Sequence, residues 1–472
     1  MAKTVKEPVV EHLSLKERAE RGRAERDEVP PSAHAEWALP PDRRDPVELL
    51  EEQGATRVPE LVPVRYGRML VSPFTFYRGA AYLMASDLAG LAQTGLNTQL
   101  CGDAHLSNFG AYAAPDRGLV FDVNDFDETL PGPFEWDLKR LVASFAVAGR
   151  DRGFKAKQRA VINRAVTSAY REAMWENAER RTLDLWYSRI SVEEILQAVA
   201  PQASAKQLKR AEKNIAKARS KDSLRAFGKL TETVDGELRI RRDPPVIIPI
   251  KELFAPELHD ALEEALRGVL RSYRATLSED RRRLLERFRY VDAARKVVGV
   301  GSVGTRAWIM LLLGRDDEDP LFLQFKEAEA SVLEPFLGAS DFEQHGERVV
   351  EGQRLTQGAN DIMLGWLRTN DVDGVDRHYY VRQLWDAKGS ALVEFMNPEA
   401  LTEYAKICGR TLARAHARAG DSVAIANYLG RKDTMDDALA SFAELYADQN
   451  ERDYAAMREA VDSGRVTAET GI

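Results

Sequence analysis

The sequence predicts an α+β fold in two lobes, the larger mainly helical, and three observations predict it. Apolar residues recur at helical spacing through much of the chain, as in the Leu138, Leu141, Val142 and Phe145 stripe of a helix over 137–150. Asp103 precedes Asn108 by five positions, and the buried-strand run Leu119 to Val123 then delivers Asp125. Far downstream, Gly299, Gly301 and Gly304 fall between two β-rich runs, and the next strand ends in Lys326.

Composition sets the bounds. With 472 residues the chain can bury two or three cores, and 44% hydrophobic with 30% charged residues fits an ordinary globular protein. A net charge of −8 gives no general attraction to phosphate backbones, so nucleic acid is not expected as a partner. Cys101 and Cys408 cannot form a disulfide framework. No run of 18 apolar residues occurs and residues 1–28 lack an apolar leader core, so a cytoplasmic protein without a membrane partner is expected.

In order, residues 1–45 read as an extended arm, on the surface or mobile, after one short helix over 15–28. Residues 46–150 form the catalytic core of the large lobe, with helices over 46–52 and 79–91. Arg65, Arg68 and Arg78 flank the 69–77 segment, where they suit either phosphate groups or nearby carboxylates. Residues 151–290 read as a mainly helical insertion and a possible substrate region, with a hairpin at Asp235-Gly236. The nine Lys or Arg between Lys206 and Lys229 read as a solvated face. Residues 291–390 form a small lobe, and 391–472 return as helices to the large one.

The chemistry that suits Asp103-x-x-x-x-Asn108 followed by Asp125-Phe126 is phosphoryl transfer. That reaction needs one carboxylate to orient and deprotonate a hydroxyl, and oxygen donors to hold Mg²⁺ on the phosphates. Asp103 is therefore the expected base, with Asn108, Asp125 and Asp127 as expected metal donors. The stretch Cys101-Gly102-Asp103-Ala104-His105-Leu106-Ser107-Asn108 resembles the H-G-D-x-H-x-x-N loop of the aminoglycoside and choline kinase group. Asn124-Asp125-Phe126-Asp127 is similar to its I-D-F-x-D, and Pro131 to Leu138 to its G-x-P-x-x-D-L. Nearly the whole chain also resembles a bacterial domain-of-unknown-function family with the signatures Arg68-Met69-x-x-Ser72-Pro73-Phe74, GDAHLSNFG and Lys326-Glu327-Ala328. The chain departs from the kinase pattern at Cys101, which stands where the loop has its first His, and at Asp127, where protein kinases have Gly.

Glycines between strands, with a following strand that ends in lysine, are how kinases cover ATP phosphates and hold them. Gly299, Gly301, Ser302, Gly304 and Lys326 are accordingly expected to bind the nucleotide. Glu351, or Glu347, on a helix over 342–357 is the expected partner of Lys326. A Rossmann turn would need a helix after the glycines, and a Walker loop would need Gly-Lys-Ser/Thr where Gly304-Thr305-Arg306 stands. The order is inverted relative to ordinary kinases, because the catalytic loop precedes the glycine-rich lobe. The expected fold is thus a permuted, protein-kinase-like one. The resulting reading is an ATP- and Mg²⁺-dependent phosphotransferase acting on a hydroxyl-bearing acceptor, small molecule or protein. The alternatives are a metal-dependent phosphoesterase using Asp103, His105, Asp122, Asp125 and Asp127, a nucleotide-binding pseudokinase, and an AMP transferase.

Overall fold

Prolines and capping side chains set the boundaries of the N-terminal helices. The computed structural model describes residues 12–199, 209, 213, 215–216, 223–297, 303–370, 374–384 and 389–471. Ser14 and Glu17 close a reciprocal cap on α1 (Leu15–Glu28), and Asp45 caps α2 (Pro46–Gly54), with Pro46 in its first turn. After α3 (Val62–Met69), Ser72 and Thr75 cap each other at the start of α4 (Pro73–Gly79). The chain breaks at Ala80 and resumes as α5 (Ala81–Ala89), so the stretch expected as one helix from Gly79 is preceded by a separate short one.

Four short strands then frame the loop that carries Asp103. β1 (Asn97–Leu100) pairs antiparallel with β4 (Leu130–Pro133), and β2 (Phe109–Ala113) pairs with β3 (Leu119–Val123). The strand β4 runs directly into α6 (Phe134–Asp151), whose apolar stripe is almost wholly buried, and α7 (Ala156–Ala178) follows. With α15 (Pro398–Ala419), α16 (Ser422–Leu429) and α17 (Thr434–Asp462), these helices enclose the largest core, which includes Phe134, Phe145, Tyr170, Leu412 and Phe442.

Between these two blocks come α8 (Thr182–Tyr187), α9 (Val192–Val199), α10 (Ser223–Leu230), a hairpin of β5 (Thr231–Val234) and β6 (Glu237–Ile240), and β7 (Ile247–Pro249). Asp235 and Gly236 both take positive φ in the tight turn of that hairpin. Most of the basic run 206–229 lies outside the described residues. Helices α11 (His259–Ala275) and α12 (Glu279–Leu285) precede a second block of strands.

That block is a six-stranded antiparallel sheet of order β11-β12-β10-β9-β8-β7, formed by β7, β8 (Arg289–Lys296), β9 (Ala307–Leu313), β10 (Pro320–Ala328), β11 (Gly365–Asn370) and β12 (Asp376–Gln383). The sheet therefore draws in β7 from the region read as a helical insertion. One face packs Leu323, Phe325, Tyr379 and Val381 with Tyr273 of α11. Alternation places Gln324, Lys326, Tyr380 and Arg382 on the other face, since Lys326 pairs with Tyr380 and Gln324 with Arg382. Helix α13 (Glu334–Leu337) and then α14 (His345–Thr356) connect β10 to β11, and β13 (Gly389–Ser390) joins β2 on the way back to the helices.

The described part of the N-terminal arm is anchored rather than loose. Arg43, on its way into α2, donates to Asp87 at 2.6 Å and to Asp453 at 2.7 Å, all three buried or nearly so, while His34 meets Tyr428 at 2.7 Å. Such paired, desolvated charges hold an arm that composition alone reads as extended. Among the described residues, no helix is long and apolar enough to cross a membrane.

Candidate active site

The loop that carries Asp103 is fastened by a residue on the first turn of α6. Asp137 accepts the backbone N–H of Cys101 at 2.7 Å and that of Gly102 at 3.0 Å, and its Oδ2 also lies 3.2 Å from His416 Nε2 on α15. Tyr170 completes the chain at 2.8 Å from His416 Nδ1. The turn needs glycine at 102, where φ is +85° and a Cβ would lie 2.1 Å from the Glu128 carbonyl oxygen. Cys101 thus contributes backbone to the anchor, and its thiol is buried.

Asn108 closes the loop by donating its side-chain N–H to the Asp103 carbonyl at 2.8 Å. Its own carbonyl accepts from Asn124 at 3.0 Å, which sets Asp125 directly beside the loop. Arg140, one turn along α6 from Asp137, binds Asp103 Oδ1 at 2.9 Å and stacks 3.9 Å above the Tyr77 ring. The other carboxylate oxygen faces His105 Nε2 at 3.8 Å. Because His105 Nδ1 accepts from the Ser107 N–H at 3.2 Å, Nε2 carries the proton of the neutral ring. Burial keeps that ring neutral, with Arg78 and Arg140 adding to the effect. Burial also raises the Asp103 pKa, against the lowering pull of Arg140 and Arg78.

Across from this loop stands the second face of the sheet. Lys326 donates to Asp127 Oδ2, and Tyr380 donates to Asp127 Oδ1 at 2.8 Å. Burial works against the lysine's charge, yet the Asp127 carboxylate holds its pKa above the ordinary value. Asp127 in turn stays ionised despite its burial, through Lys326 and Tyr380. Arg382 reaches Gln324 at 3.3 Å and the Asn124 carbonyl at 3.4 Å. A small cavity of about 40 Å³ beside the loop is lined by Gln53, Arg78, Cys101, Asp103, Asp125, Asp127 and Glu128.

Residues 57–460 match the family model described as "Uncharacterized protein conserved in bacteria (DUF2252)". The chain belongs to the DUF2252 family. No match was found among curated proteins or among solved structures.

The structure of this DUF2252 member joins several of the residues singled out in its sequence and separates others. Asp103, Asn108, Asp125, Asp127 and Lys326 share one site. Gly299, Gly301 and Ser302 lie outside the described residues. Gly304, at φ +93°, accepts the Val58 N–H at 2.8 Å, and Arg57 donates to the neighbouring Val303 carbonyl at 2.6 Å.

Glu351 requires correction as the partner of Lys326. It pairs with Arg354 at 2.7 Å, one turn along α14, because the face of that helix turned inward carries Arg348, Val349, Gly352 and Gln353. Arg348 takes the inward place and donates to the carbonyls of Asp127 and Glu329 at 2.8 Å and of Thr129 at 2.7 Å. The lysine's counter-ion comes instead from the Asp-Phe-Asp segment.

As a holder of Mg²⁺ the site offers two protein oxygens. Asp125 Oδ1 is buried with no hydrogen-bond partner, and the Asn108 amide has its N–H committed and its oxygen unused. Both oxygens of Asp127 are engaged by Lys326 and Tyr380. Among the described residues no three His, Cys, Asp or Glu side chains gather into a metal site. Two oxygens suit Mg²⁺, which leans on water and substrate phosphates for the rest of its octahedron.

Arg140, Tyr380 and Arg382 are site residues that sequence reading missed. The signals were present, since Arg140 lies one turn after Asp137, and Tyr380 and Arg382 alternate on one strand. What was lacking was the register that sets Tyr380 opposite Lys326.

Proposed function

We propose that this DUF2252 chain is an ATP- and Mg²⁺-dependent phosphotransferase of permuted kinase-like fold, acting on a hydroxyl-bearing acceptor. One observation carries the reading. Lys326 lies on the third strand counted from β8, after a turn containing Gly304 between the first two, and it meets the segment that follows the Asp103 to Asn108 loop. Kinases likewise combine a strand lysine and a glycine-rich turn with a catalytic Asp and a metal-binding Asp.

In this reading Asp103 orients the acceptor hydroxyl through the oxygen that Arg140 leaves open, and its raised pKa suits it to take the proton. The acceptor oxygen bonds to the γ-phosphorus as the bond from that phosphorus to the β,γ-bridging oxygen breaks. ADP leaves with the electron pair, and the proton goes to Asp103. Lys326, with three N–H donors, has two left for phosphate oxygens while it holds Asp127. Asp125 and Asn108 would hold Mg²⁺, which when bound neutralises phosphate charge.

The phosphoesterase reading loses a ligand in this geometry. Asp122 is buried against Arg414 of α15 and accepts the Gly358 N–H at 3.1 Å, so its carboxylate is committed elsewhere. A calorimetric titration of the full chain with ATP and ADP, with and without Mg²⁺, tests the proposal. Binding that requires Mg²⁺ is expected, and the absence of any nucleotide binding would end it.

A further inference from the structure

Arg78 is a partly buried cation in the cavity wall, and among the described residues it has no hydrogen bond or ion pair. Its Nε is sealed from solvent without an acceptor. Two carboxylates, Asp103 and Asp125, act on it through space, and it lines the cavity with them. Arg140 already occupies Asp103 Oδ1, and Arg78 makes no direct hydrogen bond or ion pair with either acid. An unmatched, partly buried guanidinium is costly, and its place in the cavity wall leaves it able to take a partner that arrives there.

The backbone on both sides of Arg78 is fixed by other arginines. Arg140 donates to the Tyr77 carbonyl at 2.7 Å, and Arg65, fully buried, donates to the Gly79 carbonyl at 2.8 Å. Arg65 also reaches Gln53, another wall residue, at 2.6 Å. A side chain with no bond of its own is therefore carried on a segment clamped at both ends, the arrangement of a group positioned in advance. Lys326, by contrast, is already paired with Asp127, one of the cavity-lining acids.

We propose that Arg78 is a catalytic residue that binds the transferable phosphoryl group, placing its planar fork on the phosphoryl oxygens between Asp103 and Asp125. The proposal rests on the phosphotransferase reading above. A guanidinium matches phosphoryl geometry with two parallel N–H donors, and charge developing on those oxygens strengthens the contact. ADP lacks the group that Arg78 would hold, which separates this role from general nucleotide binding.

The test compares full-length wild type, Arg78→Met and Arg78→Lys, each titrated with Mg²⁺-ADP and with a Mg²⁺-bound, non-hydrolysable β,γ-imido analogue of ATP. Arg78→Met is expected to weaken the analogue about 10- to 100-fold while ADP affinity stays within about twofold. Arg78→Lys is expected to recover part of the loss. The melting temperature of Arg78→Met is expected to hold or rise, because the arginine gives up no bond of its own. Unchanged analogue affinity in Arg78→Met overturns the assignment and leaves the phosphotransferase reading standing. Parallel loss of ADP, analogue and melting temperature also overturns it, since that marks a structural counter-ion. A wild type that binds neither nucleotide removes the reading and the assignment together.

Discussion

The ammonium of Lys326 donates to the carboxylate of Asp127 across 199 positions of sequence. The lysine is buried on its strand, and the aspartate also receives the Tyr380 hydroxyl. A pair so placed ties the sheet to the Asp-Phe-Asp segment, and breaking it from one side leaves a charge in a desolvated place.

Lys326→Met is expected to cost about 3–5 kcal/mol of stability, and Lys326→Met combined with Asp127→Asn to recover most of that. Nucleotide binding should be weakened in both. Denaturant midpoints read the first effect and titration with Mg²⁺-ATP the second. Full recovery of binding in the double variant would remove the lysine from phosphate holding.

Asp103→Asn is expected to lower phosphoryl transfer by about 10²- to 10⁴-fold with ADP binding kept. Asp103→Ala should show the same loss and also unfold more readily, by about 3 kcal/mol, because Arg140 then loses its acceptor altogether, whereas asparagine keeps an amide oxygen for it. Turnover equal to wild type in Asp103→Asn, in a preparation free of other kinases, would take the base role from Asp103.

Burial pushes the Glu128 carboxyl up to about 7, against the opposing Val332 N–H and Arg348. A carboxyl raised in the folded state favours folding while protonated. Its contribution is whole below the unfolded value near 4.5 and is lost as pH rises through about 7. The wild type should therefore lose roughly 3 kcal/mol relative to Glu128→Gln between pH 4.5 and 8. Parallel stability curves for the two proteins over that range would contradict this.

Gly102→Ala is expected to destabilise by more than about 2 kcal/mol or to prevent folding, through positive φ and collision with the Glu128 carbonyl. Gly236→Ala is the comparison. Its φ is also positive, but nothing lies within 4 Å of the added methyl, so it should cost only about 1 kcal/mol. Thermal melts of the two variants separate collision from backbone strain.

Much of this site could be read before the fold was seen, and the unread part has a physical pattern. Asp103, Asn108 and Asp125 announce themselves because one short loop and one hairpin set their spacing. Lys326 was legible because a strand ending in lysine after glycines is a local signal. Glu351 misled because helical glutamates are common and the phase of α14 depends on packing, which turns Arg348 inward instead. Tyr380 and Arg382 needed strand register, and Asp137 needed the knowledge that α6 begins beneath the loop. The strand β11 was unread because Trp366 and Leu367 offer too short an alternation. The mixed charge and prolines of the arm read as extended, on the surface or mobile, and only the partners Asp87 and Asp453, from distant helices, explain how Arg43 is held.

Asp137 joins the loop, His416 and Tyr170 in one line of hydrogen bonds, so the acid-bearing side of the cleft inherits the rigidity of three helices. Domain closure on a ligand would then fall to the strands alone. Amide protons at 101 and 102 should exchange with heavy water as slowly as those of the innermost helix, whether the cleft is filled or empty.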